Sequence, residues 1–191
     1  MNGCMQFLTD FADLAVVLPL SLCVAAWLGL MGWGRGARLW LAALFGMLAV
    51  MLLLKLVVLG CARGESALGS PSGHTASSTL VYGGIVTLGL RPRLAVTVAI
   101  GVALAALFGA SRVAVHAHSV ADVVAGGTVG VLALAGFAGV AGAPPPSLRP
   151  GRLVLVCIPL VLLLHGVRLN LEPRLRGAAS WLGLMVCPPE A

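Results

Sequence analysis

Charge is scarce in this sequence. Only 9% of its 191 residues are Asp, Glu, Lys or Arg, against about a quarter in a soluble domain. Such a chain cannot cover itself with a water-compatible surface. Aromatic residues are also sparse, at 5%. No segment alternates apolar and polar residues in the way transmembrane strands do, which argues against a membrane barrel. The five cysteines form no Cys-x-x-Cys and no Cys/His cluster, so the usual metal-binding spacings are missing. No Lys or Arg precedes the first apolar run, where Asp10 and Asp13 stand instead, so no cleaved signal peptide is expected. No repeat with a period of about 20–50 residues is found.

What is there is long apolar sequence, with a mean hydropathy of +1.06. Six spans stand out, at 11–33, 38–60, 74–90, 93–110, 118–141 and 152–169. Each is near the roughly 20 residues that cross a hydrocarbon core about 30 Å thick. The expected fold is all-α: an integral membrane bundle of about six transmembrane helices, forming one domain over residues 1–191. A further apolar piece, 177–187, is too short to span and is expected to lie in the interface. Short connections leave no room for a separate soluble domain.

The net charge of +6 is placed asymmetrically. Arg35, Arg38, Arg91, Arg93, Arg149 and Arg152 fall in three loops on one side, and no acid accompanies them. Asp10, Asp13, Glu65, Asp122, Glu172 and Glu190 fall on the other side, with both termini. The positive-inside rule makes the arginine loops cytoplasmic. The basic charge is therefore topological, and no nucleic-acid partner is expected. Trp33 and Trp40 bracket the first arginine loop, as an interfacial aromatic belt would. This places a multi-pass protein in a bacterial-type cytoplasmic membrane, with its polar motifs facing the periplasm or exterior. Cys23 and Cys157 lie within spans as core filler, whereas Cys4, Cys61 and Cys187 fall on the outer side, where a disulfide is permitted.

Ionisable groups at membrane depth cost about 2.5–3.5 kcal/mol each on insertion scales. Here Lys55, Arg63, Ser72, Gly73, His74, Arg112, His118 and Asp122 all converge on the outer face. Three cations and two histidines in one place ask for an anion, most simply a phosphate. His118 and Asp122 stand at i, i+4 and share a face if helical. The carboxylate then orients the imidazole as a nucleophile or base, or else the pair simply ties helices together. In Pro71-Ser72-Gly73-His74, Ser72 suits a helix N-cap and Gly73 allows close backbone approach. The free amides there welcome a phosphate oxygen, and His74 is placed to protonate a leaving oxygen. An ordinary helix cap accounts for the same four residues.

Taken together, Lys55, Arg63, "PSGH" at 71–74 and "SRVAVHAHSVAD" at 111–122 resemble the type 2 phosphatidic acid phosphatase (PAP2) superfamily, over about residues 50–130. The family's third motif, Ser-Arg, five residues, His, three residues, Asp, is met by Ser111, Arg112, His118 and Asp122. Its second motif is met by Pro71 to His74. The first motif departs from the pattern. The family has Lys, six residues, then Arg-Pro; here seven residues separate Lys55 from Arg63, and Gly64 follows. On a continuous helix that extra residue turns Arg63 about 80° off the Lys55 face. Either Gly60 breaks the helix and restores the aim, or Arg63 is peripheral.

The resemblance implies a metal-independent phosphoric ester or diphosphate hydrolase with no cofactor. In it His118 attacks phosphorus and becomes a phosphohistidine, Asp122 orients His118, and His74 protonates the departing lipid oxygen and then activates water. Lys55, Arg112, Ser72 and Gly73 hold the phosphoryl oxygens, with Arg63 as a further ligand. The implied partners are the bilayer and a lipid phosphate: phosphatidate, phosphatidylglycerol phosphate, a polyprenyl diphosphate such as undecaprenyl diphosphate, or a lipid A phosphate. A phosphotransferase acting on a second lipid is the near alternative, and a non-catalytic transport or scaffold protein the distant one. Among the remaining polar residues, His116 reads as a neighbour without a role and His165 as an interhelical hydrogen-bond partner. Gly126 and Gly130 form a GxxxG packing face; Arg168, Arg174 and Arg176 read as solvated snorkelling residues, and Glu65 as a loop charge.

Overall fold

Inside a bilayer every backbone N–H and C=O must find its partner within the protein, so long apolar runs become helices. The computed structural model describes residues 2–61, 69–142, 144–146, 148–169 and 177. Over these the chain forms α1 (Asn2–Asp10), α2 (Leu14–Leu30), α3 (Gly34–Cys61), α4 (Gly73–Leu90), α5 (Leu94–Ala114), α6 (Val120–Ala141) and α7 (Pro150–Leu164). No strand occurs among the described residues. The six expected spans correspond to α2 through α7, and α1 is an addition. Gly3–Leu30 taken together, Gly34–Gly60, Leu94–Ala114 and Val120–Ala141 are long and apolar enough to cross a membrane. Large apolar side chains such as Leu53, Val57, Leu132, Leu155 and Leu163 point outward from the bundle. Such a surface suits lipid and not water. The protein is a helical membrane bundle.

The helix at the centre is α4, packed against α2, α3, α5 and α6. Its first half is polar, and Thr75, Ser77, Ser78 and Thr79 are all buried. Neighbouring helices, not lipid, surround those hydroxyls. Ser78 satisfies its own by donating to the His74 carbonyl at 2.7 Å. Close approach of α6 depends on two glycines four residues apart. A Cβ on Gly126 would overlap the Ser72 carbonyl, and one on Gly130 would lie 2.6 Å from the Ala76 oxygen. The GxxxG face therefore packs on α4, as expected.

Helix ends follow local chemistry. The turn after α2 is a Schellman motif: Gly32 adopts φ +83°, Trp33 N–H donates to the Leu28 carbonyl and Gly32 N–H to that of Gly29. The loops rich in arginine gather at this end of the bundle. Arg35 donates to the Val140 carbonyl at 3.0 Å, and Arg91 to that of Leu148 at 3.0 Å. One expectation for this end is corrected. Trp40 is no belt residue: it is 1% exposed, donates to the carbonyl and hydroxyl of Ser21, and meets Phe137 edge-on. Its indole N–H finds a partner on α2, so the ring is buried at no polar cost.

Cys4, Cys23 and Cys157 are free thiols. Arg63, Glu65, Arg174, Arg176, Cys187 and all of 177–187 except Gly177 lie outside the described residues, as does the side chain of Cys61.

Candidate active site

The end of the bundle opposite the arginine loops collects most of the polar motif residues. Lys55 lies six residues before the end of α3, is 7% exposed, and donates to the Ser70 hydroxyl at 2.8 Å. α3 continues unbroken through Gly60 to Cys61, so Gly60 does not break the helix.

The segment 69–72 is pinned to the start of α6 by Asp122. Its Oδ1 accepts from the Ser70 amide at 2.8 Å, and its backbone carbonyl accepts from the Ser72 amide at 2.9 Å. Oδ2 accepts from the Ser119 amide at 3.0 Å, and the Ser119 hydroxyl accepts from the Asp122 amide at 3.2 Å. This is a capping box, with Ser119 as N-cap and Asp122 at N3. His118 precedes the cap and is not in the helix. Its Nδ1 lies 3.7 Å from Asp122 Oδ2, too long for a hydrogen bond but close enough for the carboxylate to favour a cation there. The i, i+4 pair is close because the box turns Asp122 back over the cap, not because both residues share a helical face.

The second motif opens α4. Ser72 is the N-cap, fully buried, accepting from the amide and hydroxyl of Thr75 at 3.4 and 3.0 Å. Its hydroxyl oxygen is thus engaged in the cap. The first-turn amides of Gly73 and His74 have no intrahelical acceptor, and with the helix dipole they make a setting for an anion. The Lys55 side chain reaches this turn: its Cε lies 3.9 Å from where a Cβ on Gly73 would stand. His74 turns the other way along its ring, placing Nε2 3.5 Å from Oδ2 of Asp13. In the sequence Asp13 marks topology alone; its distance of sixty-one positions from His74 leaves no local signal.

In the third motif, Ser111 is structural. Its hydroxyl donates to the Phe108 carbonyl at 2.7 Å and accepts from Thr9 of α1 at 3.1 Å. Arg112 lies in the last turn of α5. Just beyond, Ala117 N–H donates to the Arg112 carbonyl and His116 N–H to that of Val113. This is a second Schellman turn, with His116 at φ +55° where glycine is usual. His116 therefore has a structural role, contrary to the expectation of none: it reverses the chain so that His118 reaches α6. His165, by contrast, behaves as expected, its Nε2 3.1 Å from the Phe7 carbonyl. Arg168 is more engaged than a snorkelling residue. It makes a two-pronged ion pair with Asp10 at 2.9 and 3.0 Å, which raises its pKa above the ordinary guanidinium value.

The structure thus joins Lys55, Ser70, Asp122, Ser72 and His118 in one contact chain, with His74 one residue beyond Gly73. Among the described residues no three His, Cys, Asp or Glu side chains converge as metal ligands would. Beside this end of the bundle, between α5 and α6, lies an apolar cavity of about 690 Å³, lined among others by Val113, Ala114, Val120, Val124 and Gly127.

A comparison with known families places part of the chain. Residues 60–143 match the family model of the PAP2 superfamily. That range holds the second and third motifs with the loop and helices that join them. No curated protein and no solved structure matches the chain. A domain of this superfamily supports a phosphatase-type activity.

Proposed function

Because the chain carries a PAP2 superfamily domain over residues 60–143, we propose that it hydrolyses a phosphate mono- or diphosphate ester of a membrane lipid through a phosphohistidine on His118. A ring nitrogen of His118 attacks phosphorus as the bond to the lipid oxygen breaks. That oxygen takes a proton from His74. Water then gives a proton back to His74 as its oxygen attacks phosphorus, the P–N bond breaks, and inorganic phosphate leaves. Lys55, Arg112 and the amides at Gly73 face the equatorial oxygens, where charge spreads in the transition state. Fixed cations then do the work a metal ion does elsewhere. Asp122 favours the charge His118 acquires and holds its loop.

The observation that carries this reading is the tether from Lys55 through Ser70 and Asp122 to the His118 turn. It brings the Lys55 cation and the His118 turn together, next to the start of α4, which supports this reading. The lipid character of the substrate rests on the cavity between α5 and α6. Its residues Val113 and Val120 directly flank Arg112 and the His118–Ser119 turn in the chain. A hydrocarbon chain lying there keeps its tail in the bilayer while its phosphate meets His118. Diacylglycerol and polyprenyl phosphates both have this shape. The arginine loops oppose the site, so the positive-inside rule supports a site on the periplasmic or outer face of the cytoplasmic membrane.

Phosphate release by the purified protein in mixed micelles tests the reading. Phosphatidate, phosphatidylglycerol phosphate and undecaprenyl diphosphate form the panel. Turnover of at least one lipid is expected, with acid-labile label trapped on His118. No turnover of any lipid, or the same turnover in His118→Ala, overturns it.

A further inference from the structure

Asp13 is a buried carboxylate close to a reactive histidine, and it comes from an element outside the family motifs. It is 5% exposed and sits in the turn between α1 and α2. Its two oxygens have separate tasks. Oδ1 accepts from the amide of Ala15 at 2.9 Å and from that of Leu169 at 3.1 Å. Oδ2 faces His74 Nε2 at 3.5 Å. The turn itself is anchored from three directions. Tyr82 of α4 donates to the Phe11 carbonyl at 2.7 Å, Thr9 meets Ser111 of α5, and Asp10 holds Arg168 in its two-pronged pair. Such a mount restrains the turn that carries Asp13, as orienting a catalytic group requires.

We infer that Asp13 is the positioning residue for His74, holding a proton on Nε2 so that Nδ1 is the nitrogen that exchanges protons with the lipid oxygen and with water. The inference rests on the acid–base role proposed for His74. With Nε2–H directed at a carboxylate, the neutral ring has its lone pair on Nδ1, ready to take a proton from water. The cationic ring presents Nδ1–H to the leaving oxygen. The site then has two His–carboxylate pairs with separate tasks, Asp122 beside the nucleophile and Asp13 behind the acid–base group.

The division of labour between the Asp13 oxygens makes Asp13→Asn a clean probe. Asp13 is the N-cap of α2, and Asn is as good an N-cap as Asp. The amides of Ala15 and Leu169 both need an acceptor, so they hold the Asn oxygen where Oδ1 was. The NH2 group then faces His74 Nε2, where a donor replaces an acceptor. The ring must move its proton to Nδ1, the tautomer with no lone pair on the reacting nitrogen. An equivalent carboxylate-to-amide change in a catalytic triad acts in this way.

Two measurements decide the matter. The first needs no activity: ¹⁵N spectra of histidine-labelled protein in detergent at alkaline pH, with His74 assigned by the loss of its signals in His74→Ala. The expected result is a proton on Nε2 in the native protein and on Nδ1 in Asp13→Asn. The same tautomer in both overturns the inference. The second compares leaving groups. Asp13→Asn should lower phosphatidate turnover on the order of a hundredfold, the low end of what a positioned acid–base group contributes. It should leave the phospho-enzyme burst from p-nitrophenyl phosphate within about twofold, because an aryl oxide departs without a proton. The double variant Asp13→Asn/His74→Ala should be no slower than His74→Ala alone. Equal losses with both substrates, or additive losses in the double variant, would mean that Asp13 only braces the fold. A tautomer switch in a protein that hydrolyses no lipid keeps the Asp13–His74 pair and sinks the assigned function instead.

Discussion

The amide of Ser70 donates to the carboxylate of Asp122 across 52 positions of sequence, at 2.8 Å. That bond closes the loop before α4 onto the first turn of α6, and Lys55 holds the same serine through its hydroxyl. Asp122→Ala removes the N3 half of the capping box, whose loss costs about 1 kcal/mol. It also leaves the buried Ser70 amide without an acceptor, worth a further 1–3 kcal/mol or so. A lower midpoint of thermal unfolding in detergent and loss of phosphate release should appear together. Asp122→Asn keeps one acceptor oxygen and should unfold between the two. An alanine variant that melts like the native protein would show that the tether contributes nothing.

Gly126 admits no side chain, because a Cβ would overlap the Ser72 carbonyl that begins α4. Gly126→Ala should push that end of α4 outward, at a cost of about 1–3 kcal/mol for overpacking, and should lower activity through misplacement of Gly73 and His74. Gly136 and Gly139 lie on the same helix with nothing within 4 Å of a Cβ. Alanine there should be neutral or stabilising by up to about 1 kcal/mol through helix propensity. Thermal melts of the three variants, with activity assays alongside, check the contrast.

His116 serves its turn through its backbone, whose N–H donates to the Val113 carbonyl. At φ +55° a side chain costs roughly 1–2 kcal/mol that glycine does not incur. His116→Gly should therefore keep activity and melt no lower than the native protein. A β-branched residue such as valine should fit poorly and lower both. Abolished activity in a well-folded His116→Gly protein would instead assign the imidazole a chemical task.

The topology is checked by labelling. In a background lacking native cysteines, a single cysteine in the 91–93 loop should resist an impermeant thiol reagent in intact cells. One placed at position 4, which is exposed in α1, should react. The reverse pattern puts the site on the cytoplasmic side.

If Lys55, Arg112 and the α4 amides neutralise the phosphoryl charge, excess chelator should leave lipid hydrolysis intact. Vanadate, which mimics the five-coordinate phosphorus, should inhibit it. Loss of turnover on chelation with recovery on adding magnesium would overturn that part of the mechanism.

Some of this molecule was legible from local pattern alone. Hydropathy marked six of the seven helices, because crossing a bilayer depends on about 20 consecutive residues and little else. Ser72 followed by Gly73 announced a helix start, which a cap decides within three or four residues. Gly126 and Gly130, one turn apart, announced a close contact, and α4 lies against them. The spacing of His118 and Asp122 foretold their proximity. The cause is a capping box, however, and Ser119 with Asp122 three residues on was the sign of it in the chain. Tertiary packing decided the rest. Trp40 flanks an arginine loop as a belt residue would, but whether an indole meets headgroups or protein depends on which helix lies beside it, and here Ser21 of α2 does. Asp13 carried no mark beyond its charge. A carboxylate acts on whatever stands within a few ångströms, and only the docking of the α1–α2 turn against α4 brings His74 that near.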